Sequence, residues 1–280
     1  RDQPRSRGLG DVYKRQPQRD RADSISINTN TQSAVKARDL RSNSKQILKL
    51  KKAYEAKYSN GFFATKRGEI IPADKDKQYC IELSYLGKNL TAWYMQRPNL
   101  SYGETKIFDK YFNTLFKNDY LPEDAYALSF WMRKIMDAWT QENPLGLEEE
   151  LLTMKAYAPY HLLFAISMVF AKCNNQTNVP SPSECLKVAS ENNLVDSIIN
   201  IAANCLNSAI SAEKNNCEQN NKSFIPQNWV KNKSCNAGIM SAIQNYFSFL
   251  PTMNKEMDSK LKNGVKIDSK YFSYRVQAED

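Results

Sequence analysis

Hydrophobic residues recur at the spacing of an α-helix along most of this chain. Apolar stripes cover 83–93, 107–116 and 122–139, where Pro98 follows the first stripe and Pro122 opens the third. Further helices are predicted at 147–172, with a kink at Pro159, and at 184–192, 194–215, 236–250 and 252–263. The pattern therefore predicts a mainly α fold, a multi-helix globular array.

A further helix is predicted ahead of these stripes, from Ser44 to Tyr58. Asn43 or Ser44 can cap its start, and Asn60-Gly61 can end it. Its side chains divide into an apolar face and a basic face. The apolar face consists of Ile47, Leu50, Tyr54 and Tyr58, and the basic face of Lys45, Lys49 and Lys52.

A short β element is predicted near residues 61–66. There Gly61–Thr65 reads as a strand that leads into a turn, Lys66-Arg67-Gly68-Glu69. Two other segments alternate weakly between apolar and polar residues, Ser24–Asn28 and Tyr271–Val276, and each is a candidate strand.

The front of the chain has no hydrophobic period. Residues 1–16, which include SRGLGDVYKRQ, resemble a translated sequencing adapter, and the first methionine is Met95. We therefore expect 1–16 to be a non-native segment and a native N-terminal part to be missing. The remaining chain is expected to comprise two regions, 17–143 and 144–280, divided at the Asn143-Pro144-Leu145-Gly146 break.

The positive charge is concentrated in one short segment. The chain carries 39 basic and 30 acidic residues, a net charge of +9. Residues 36–67 contain ten basic residues and two acidic ones, which gives 10 − 2 = +8, whereas the residues after Arg67 sum to 22 − 24 = −2. A localised basic patch is typical of a site for nucleic acid or another polyanion.

Several kinds of chemistry have no support in the composition. The chain has nine glycines and no glycine-rich phosphate loop, a single histidine, His161, and six cysteines without a C-x-x-C pair. The cysteines are expected to be reduced thiols of a cytoplasmic protein, and no metal site is predicted. The most apolar run, Leu162–Ala171, is too short to span a bilayer, so no membrane association is expected. The sequence identifies neither catalytic residues nor a cofactor.

Three short sequence motifs between residues 28 and 69 resemble motifs of a known family. They are Asn28–Gln32, then Asp39–Asn43, then Lys66–Glu69, with the lysine-rich helix between the second and the third. In this order they are similar to phrases of the abortive infection phage resistance (AIPR) proteins, over about residues 24–145. The resemblance implies a bacterial antiphage defence role. Some relatives carry a nuclease-like domain ahead of this region.

The basic helix and the turn after it form the main candidate site. Their cations recur at a spacing that suits phosphate contacts, and nearby aromatic rings could stack on bases. The candidate nucleic-acid contacts are Asn30, Gln32, Arg41, Asn43, Lys45, Lys49, Lys52, Lys66 and Arg67, and the candidate stacking rings are Tyr54, Tyr58, Phe62 and Phe63. The alternative is structural: a solvated helix with buried aromatics, a structural arginine, and loop amides.

Other functional hypotheses remain open at the level of sequence. One is a metal-dependent nuclease whose catalytic residues lie upstream, and another is a helical scaffold for homo-oligomerisation or for docking a defence-system partner. The acidic residues Glu69, Asp74 and Asp76 are better interpreted as a solvated turn than as a metal site. His161 stands between apolar neighbours and is predicted to be a core residue.

Overall fold

The computed structural model describes residues 37–116 and 120–277, and within these ranges it is mainly α-helical, as predicted. The described residues belong to a compact unit that spans Ala37–Asp280. The predicted boundary near residue 143 stays a prediction. The candidate strand at Ser24–Asn28 lies outside the described residues, as do Asn30 and Gln32.

The first described part of the unit joins two helices to a two-stranded sheet. Its elements are α1 (Ala37–Arg41), α2 (Lys45–Lys57), β1 (Phe62–Ala64), a 3-10 turn (Lys77–Tyr79) and β2 (Cys80–Glu82). Helix α2 and strand β1 confirm the predicted basic helix and the β element near residues 61–66. Strand β2, which the sequence did not predict, pairs with β1 in parallel, with Phe63 opposite Ile81.

Six helices form the middle of the unit. They are α3 (Leu83–Trp93), α4 (Glu104–Asp109), α5 (Phe112–Leu115), α6 (Pro122–Ala138), α7 (Glu149–Leu152) and α8 (Ala158–Cys173), with a 3-10 turn at Pro98–Leu100. The prediction of a single kinked helix at 147–172 was wrong. Helix α7 ends at Leu152, and Pro159 lies in the first turn of a separate helix, α8. Proline is well tolerated in the first turn of a helix, because backbone amides there have no acceptor within the helix and proline has no amide hydrogen to donate.

The C-terminal half alternates long helices with a second small sheet. Its elements are β3 (Val179–Pro180), α9 (Pro182–Glu191), α10 (Val195–Gln219), α11 (Pro226–Trp229), α12 (Lys233–Met253), α13 (Lys255–Gly264), a 3-10 turn (Ser269–Tyr271) and β4 (Phe272–Ser273). Strands β3 and β4 are antiparallel, with Val179 opposite Ser273 and Pro180 opposite Phe272. The candidate strand at Tyr271–Val276 is therefore confirmed only over two residues.

The core lies around α3 and α8, which contact each other and both contact α6. Nearly every residue of α8 is buried, and α3 buries the predicted stripe from Leu83 to Trp93. The indole of Trp93 is fully buried, and its Nε1 donates a 2.7 Å hydrogen bond to the carbonyl oxygen of Pro180. This bond fastens β3 to the end of α3. Among the described helices, none has the length and apolar character needed to cross a membrane.

Candidate polyanion interface

Helix α2 presents lysines on the face opposite its buried side. Ile47, Leu50 and Tyr54 are buried and point into the core. Because residues four and seven positions apart share a helix face, Lys45 and Lys52 lie together on the solvent side with Lys49 between them. All three side chains are exposed, as the sequence predicted.

The turn after β1 is built by a glycine and a carboxylate. Gly68 has φ +69°, a left-handed conformation that glycine adopts without a steric penalty. Oε2 of Glu69 accepts hydrogen bonds from the backbone amides of Thr65 (2.8 Å) and Lys66 (3.0 Å). This bonding fixes the backbone of the turn and leaves the side chains of Lys66 and Arg67 exposed at its tip.

Lys51 joins this turn to helix α2. Its Nζ lies 3.1 Å from Oε1 of Glu69 and 3.7 Å from Oε1 of Glu55. The same ammonium group lies 4.8 Å above the ring of Phe62, so that ring faces a lysine of the protein itself. Partial burial raises the pKa of Glu69, but hydrogen bonds from Lys66, Lys51 and Thr65 outweigh it and hold that pKa below its usual range.

Several basic residues of segment 36–67 have structural roles instead. Arg38 is almost fully buried and forms ion pairs with Asp39 and Glu104, at 3.2 and 3.3 Å. Lys57 pairs with Glu123 of α6 at 2.5 Å. The net charge of the segment therefore overstates the charge that faces solvent.

Arg41 makes contacts within the protein, which fits the alternative of a structural arginine given in the sequence analysis. Its Nε donates a 3.4 Å hydrogen bond to the carbonyl oxygen of Phe108, and its guanidinium carbon lies 4.8 Å above the ring of Phe112. Asn43 is exposed beside the start of α2. Ser44 is the N-cap residue, but its side chain makes no capping hydrogen bond.

Four cations of segment 36–67 are exposed and have no carboxylate partner among the described residues. Within residues 37–116 and 120–277, the side chains of Lys45, Lys52, Lys66 and Arg67 take part in no ion pair. Lys49 is exposed as well and has an interaction partner. We call Lys45, Lys49, Lys52, Lys66 and Arg67 the cationic ridge. It combines one face of a helix with a turn fastened to the side of that helix.

Of the aromatic side chains predicted to stack on bases, some are buried and others are partly exposed. Tyr54 and Phe63 are fully buried, so they cannot stack on bases, and that prediction was wrong. Tyr58 is partly exposed and stacks on two rings that the sequence analysis missed, Tyr79 at 5.4 Å and Tyr126 at 5.1 Å between centroids. These partners come from distant segments, so no local pattern could have identified them.

Two other ionisable residues that the sequence analysis discussed, Asp76 and His161, have structural surroundings. Asp76 caps the 3-10 turn, since its carboxylate accepts hydrogen bonds from the amide and the side chain of Gln78. His161 is buried in α8 with Nδ1 3.2 Å from the carbonyl oxygen of Tyr157, which confirms it as a core residue. Within the described ranges, no group of three or more His, Cys, Asp or Glu residues is placed to hold a metal ion.

The cysteines of the described chain are all free thiols. Cys173, Cys185, Cys205 and Cys235 are buried, whereas Cys80 and Cys217 are partly exposed. Burial raises the pKa of Cys173 and of Cys205 to about 12, so these thiols remain protonated at neutral pH.

Comparison of the chain with protein-family models, with curated proteins and with solved structures yields no match.

Proposed function

We propose that this chain binds nucleic acid or another polyanion through the cationic ridge. The supporting observation is that Lys45, Lys52, Lys66 and Arg67 are exposed and, in the described part of the chain, unpaired with carboxylates. Cations held on a folded framework lose less entropy on binding than cations on a mobile tail, because the backbone that carries them is already fixed. Here that framework is α2 and the turn that Glu69 closes.

The chemistry favours contacts with phosphates over contacts with bases. Lysine ammonium groups act as point charges, and the guanidinium of Arg67 can bind a phosphate through two parallel hydrogen bonds. Tyr54 and Phe63, which could have supplied stacking, are buried. Binding is therefore expected to depend strongly on salt and weakly on base sequence.

A salt titration tests this proposal. The affinity for a labelled duplex and for a single strand is measured by fluorescence anisotropy at increasing salt concentration. If all five ridge cations contact phosphates, the slope of log K against log salt is about −4.5 for duplex DNA and about −3.5 for a single strand. A slope near zero would contradict the proposal.

Two charge-matched variants separate the ridge from the overall charge. The first replaces the five ridge residues with alanine, and its slope should approach zero. The control replaces five exposed lysines outside the ridge, Lys134, Lys155, Lys187, Lys222 and Lys255. Both variants lose the same formal charge. If they weaken binding equally, net charge rather than the ridge governs the affinity.

We further propose antiphage defence as the cellular setting of this binding, on the basis of the resemblance to AIPR proteins. Bacteria that express the full chain are challenged with phage, and plaque numbers are compared with those of cells that express the five-alanine variant. Protection that depends on the ridge would support the proposal. Equal plaque numbers with wild-type protein, variant and empty vector would contradict it.

A second candidate function is self-association through a groove between α10 and α12. The groove has a volume of about 700 Å³ and includes Ala209, Gly238 and Ala242 in its lining, and no charged side chain of the described residues lines it. Phe249 and Met253 line the same groove and are 62% and 81% exposed. A surface with both a groove and protruding apolar side chains can pair with a second copy of itself across a two-fold axis.

Analytical ultracentrifugation tests this second function. We expect a concentration-dependent dimer for the wild-type chain and a monomer for Met253→Asp. Ile70→Asp serves as the control, because Ile70 is 87% exposed but lies outside the groove. A wild-type chain that is monomeric at high micromolar concentration would exclude the dimer.

A further inference from the structure

A second cavity, away from the cationic ridge, has a distinct chemical character. It has a volume of about 340 Å³ and lies between the end of α3, helix α8, the start of α12 and the segment after β4. Three basic side chains line it: Arg97, Lys233 and Arg275. No carboxylate of the described residues lines it.

The end of α3 directs Arg97 toward this cavity. Gln96 has φ +54°, an uncommon left-handed conformation for a residue other than glycine, and the amide of Arg97 then bonds to the carbonyl oxygen of Thr91 at 3.1 Å. The side chain of Gln96 helps to hold this conformation, because its Nε2 donates to the carbonyl oxygen of Trp93 and to Oγ of Ser167. In this position Arg97 is buried, with an exposed fraction of 8%.

The C-terminal segment supplies the opposite wall. The amide of Val276 donates a 3.0 Å hydrogen bond to the carbonyl oxygen of Tyr94, and the side chain of Val276 is buried. Arg275 and Gln277, on either side of Val276, both line the cavity.

The start of α12 adds to the positive potential. Lys233 is the first residue of this 21-residue helix, whose N-terminus carries the positive end of the helix dipole. Asn236, in the first turn, also lines the cavity; it is only 9% exposed, and its Oδ1 has no hydrogen-bond partner within the described chain. Arg97 and Lys233 have interactions of their own, which an anionic ligand would share or replace.

Apart from the polar residues Gln96 and Thr177, the rest of the lining is apolar. Phe164 and Met168 of α8 and Val179 of β3 form one side, and Met240 of α12, which is 48% exposed, stands at another. A volume of a few hundred cubic ångströms and an apolar wall beside convergent polar groups are features of small-molecule sites. Three cations in the lining favour an anionic ligand.

We propose that this cavity binds a small organic anion, a carboxylate or a phosphate ester attached to an apolar group. The acid group lies between Arg97, Lys233 and Arg275, and the apolar group packs against Phe164 and Met168. A hydroxyl group on the ligand would satisfy Oδ1 of Asn236. This site is separate from the cationic ridge, and the two can be tested independently.

Isothermal titration calorimetry with simple probes tests the inference. The anions are mandelate, a hydroxylated carboxylate, and phenyl phosphate; benzyl alcohol is the neutral control of similar size. We expect at least one anion to bind at a single site about tenfold or more tightly than benzyl alcohol, because charge-assisted hydrogen bonds are lost with the neutral probe. The anion that binds more tightly distinguishes a carboxylate site from a phosphate site. Binding of neither anion at millimolar concentration, or equal binding of all three probes, overturns the proposal.

Two variants localise the binding. Arg275 is exposed, so Arg275→Gln should fold normally, and it should weaken binding of the preferred anion about tenfold. Lys270→Gln is the control, because Lys270 lies nearby in the chain but pairs with Asp268 at 3.3 Å and does not line the cavity. Equal affinity of wild type and Arg275→Gln would overturn the assignment. Neither variant should change the salt dependence of nucleic-acid binding, so failure here is distinct from failure of the ridge.

Discussion

Oδ1 of Asp124 accepts a 2.6 Å hydrogen bond from the hydroxyl of Ser183, which joins the first turn of α6 to the first turn of α9. The same oxygen accepts from Oγ of Ser181 at 2.9 Å and from the amide of Ser183 at 3.2 Å, and Oδ2 accepts from the hydroxyl of Tyr94 at 3.2 Å. Asp124 is only 6% exposed. Three separate parts of the chain thus meet at one buried carboxylate.

Replacing Asp124 with alanine should destabilise the fold strongly. The change removes the acceptor of four hydrogen-bond donors, of which that of Tyr94 is buried and those of Ser181 and Ser183 are partly buried, and we expect a loss of about 3 kcal/mol in the free energy of unfolding. Urea denaturation measures it. Asp137→Ala is the matched control, because Asp137 is exposed on the same helix and should change stability by less than about 0.5 kcal/mol. Similar losses for both variants would show that the cluster contributes little.

Glu69→Ala should weaken polyanion binding, although it removes a negative charge beside the ridge. Without Oε2 of Glu69, the amides of Thr65 and Lys66 lose their acceptor, and the turn that carries Lys66 and Arg67 is no longer fixed. We expect about fivefold weaker binding, which corresponds to about 1 kcal/mol. The measurement is fluorescence anisotropy at fixed salt.

The control for this prediction is Asp74→Ala, which removes an exposed acid from the following loop. Simple electrostatics predicts slightly tighter binding for that variant. If Glu69→Ala also tightens binding, the carboxylate acts only as a charge and not as a support for the turn.

A pair of glycine substitutions separates the turn from general stability. Gly68 and Gly146 have φ values of +69° and +58°, and at both positions an added Cβ would meet no atom within 4 Å. Each change to alanine should therefore cost about 1 kcal/mol of folding stability through the backbone alone. Only Gly68→Ala should also reduce the affinity for nucleic acid, since Gly146 is remote in sequence from the ridge. Equal effects on binding would contradict a specific role of the turn.

The buried histidine should make the protein sensitive to mild acid. Burial lowers the pKa of His161 to about 4, whereas an exposed histidine in the unfolded chain titrates near about 6.5. As the pH falls from about 6.5 to about 4, the unfolded state takes up a proton that the folded state does not, so stability falls by at most about 1.4 kcal/mol per pH unit. His161→Leu should remove this contribution, measured by urea denaturation between about pH 6.5 and about pH 5, above the range in which most carboxylates titrate. His161 is the only histidine of the chain, so no other imidazole can mask the result.

Local pattern was enough to predict much of the fold. Helix α2, strand β1 and the turn at Gly68 follow from signals within a few residues, such as apolar spacing and glycine placement. The second sheet was predictable only in part: alternation indicated a strand near Ser273, but its two-residue partner at Val179 pairs with it across a long stretch of chain. Strand β2 was missed for the same reason, since its partner is β1 and not a neighbour in sequence.

The candidate site was predictable only in part. Helical spacing correctly separated the exposed Lys52 from the apolar face, but it could not show that the adjacent Lys51 pairs with Glu69. Arg38 and Lys57 find their carboxylates on Glu104 and Glu123, which belong to other helices. A count of charges along a sequence cannot distinguish such neutralised cations from exposed ones, because the partners meet only in the folded chain.

The hydrogen bond between Val276 and Tyr94 also affects how the molecule is made. Tyr94 is synthesised long before Val276, so the edge of the core that this bond closes remains open until Val276 has left the ribosome. Contacts between such distant positions form slowly, and the incomplete edge exposes apolar surface in the meantime. Apolar surface beside Tyr94 should therefore stay exposed on the growing chain until Val276 can reach it.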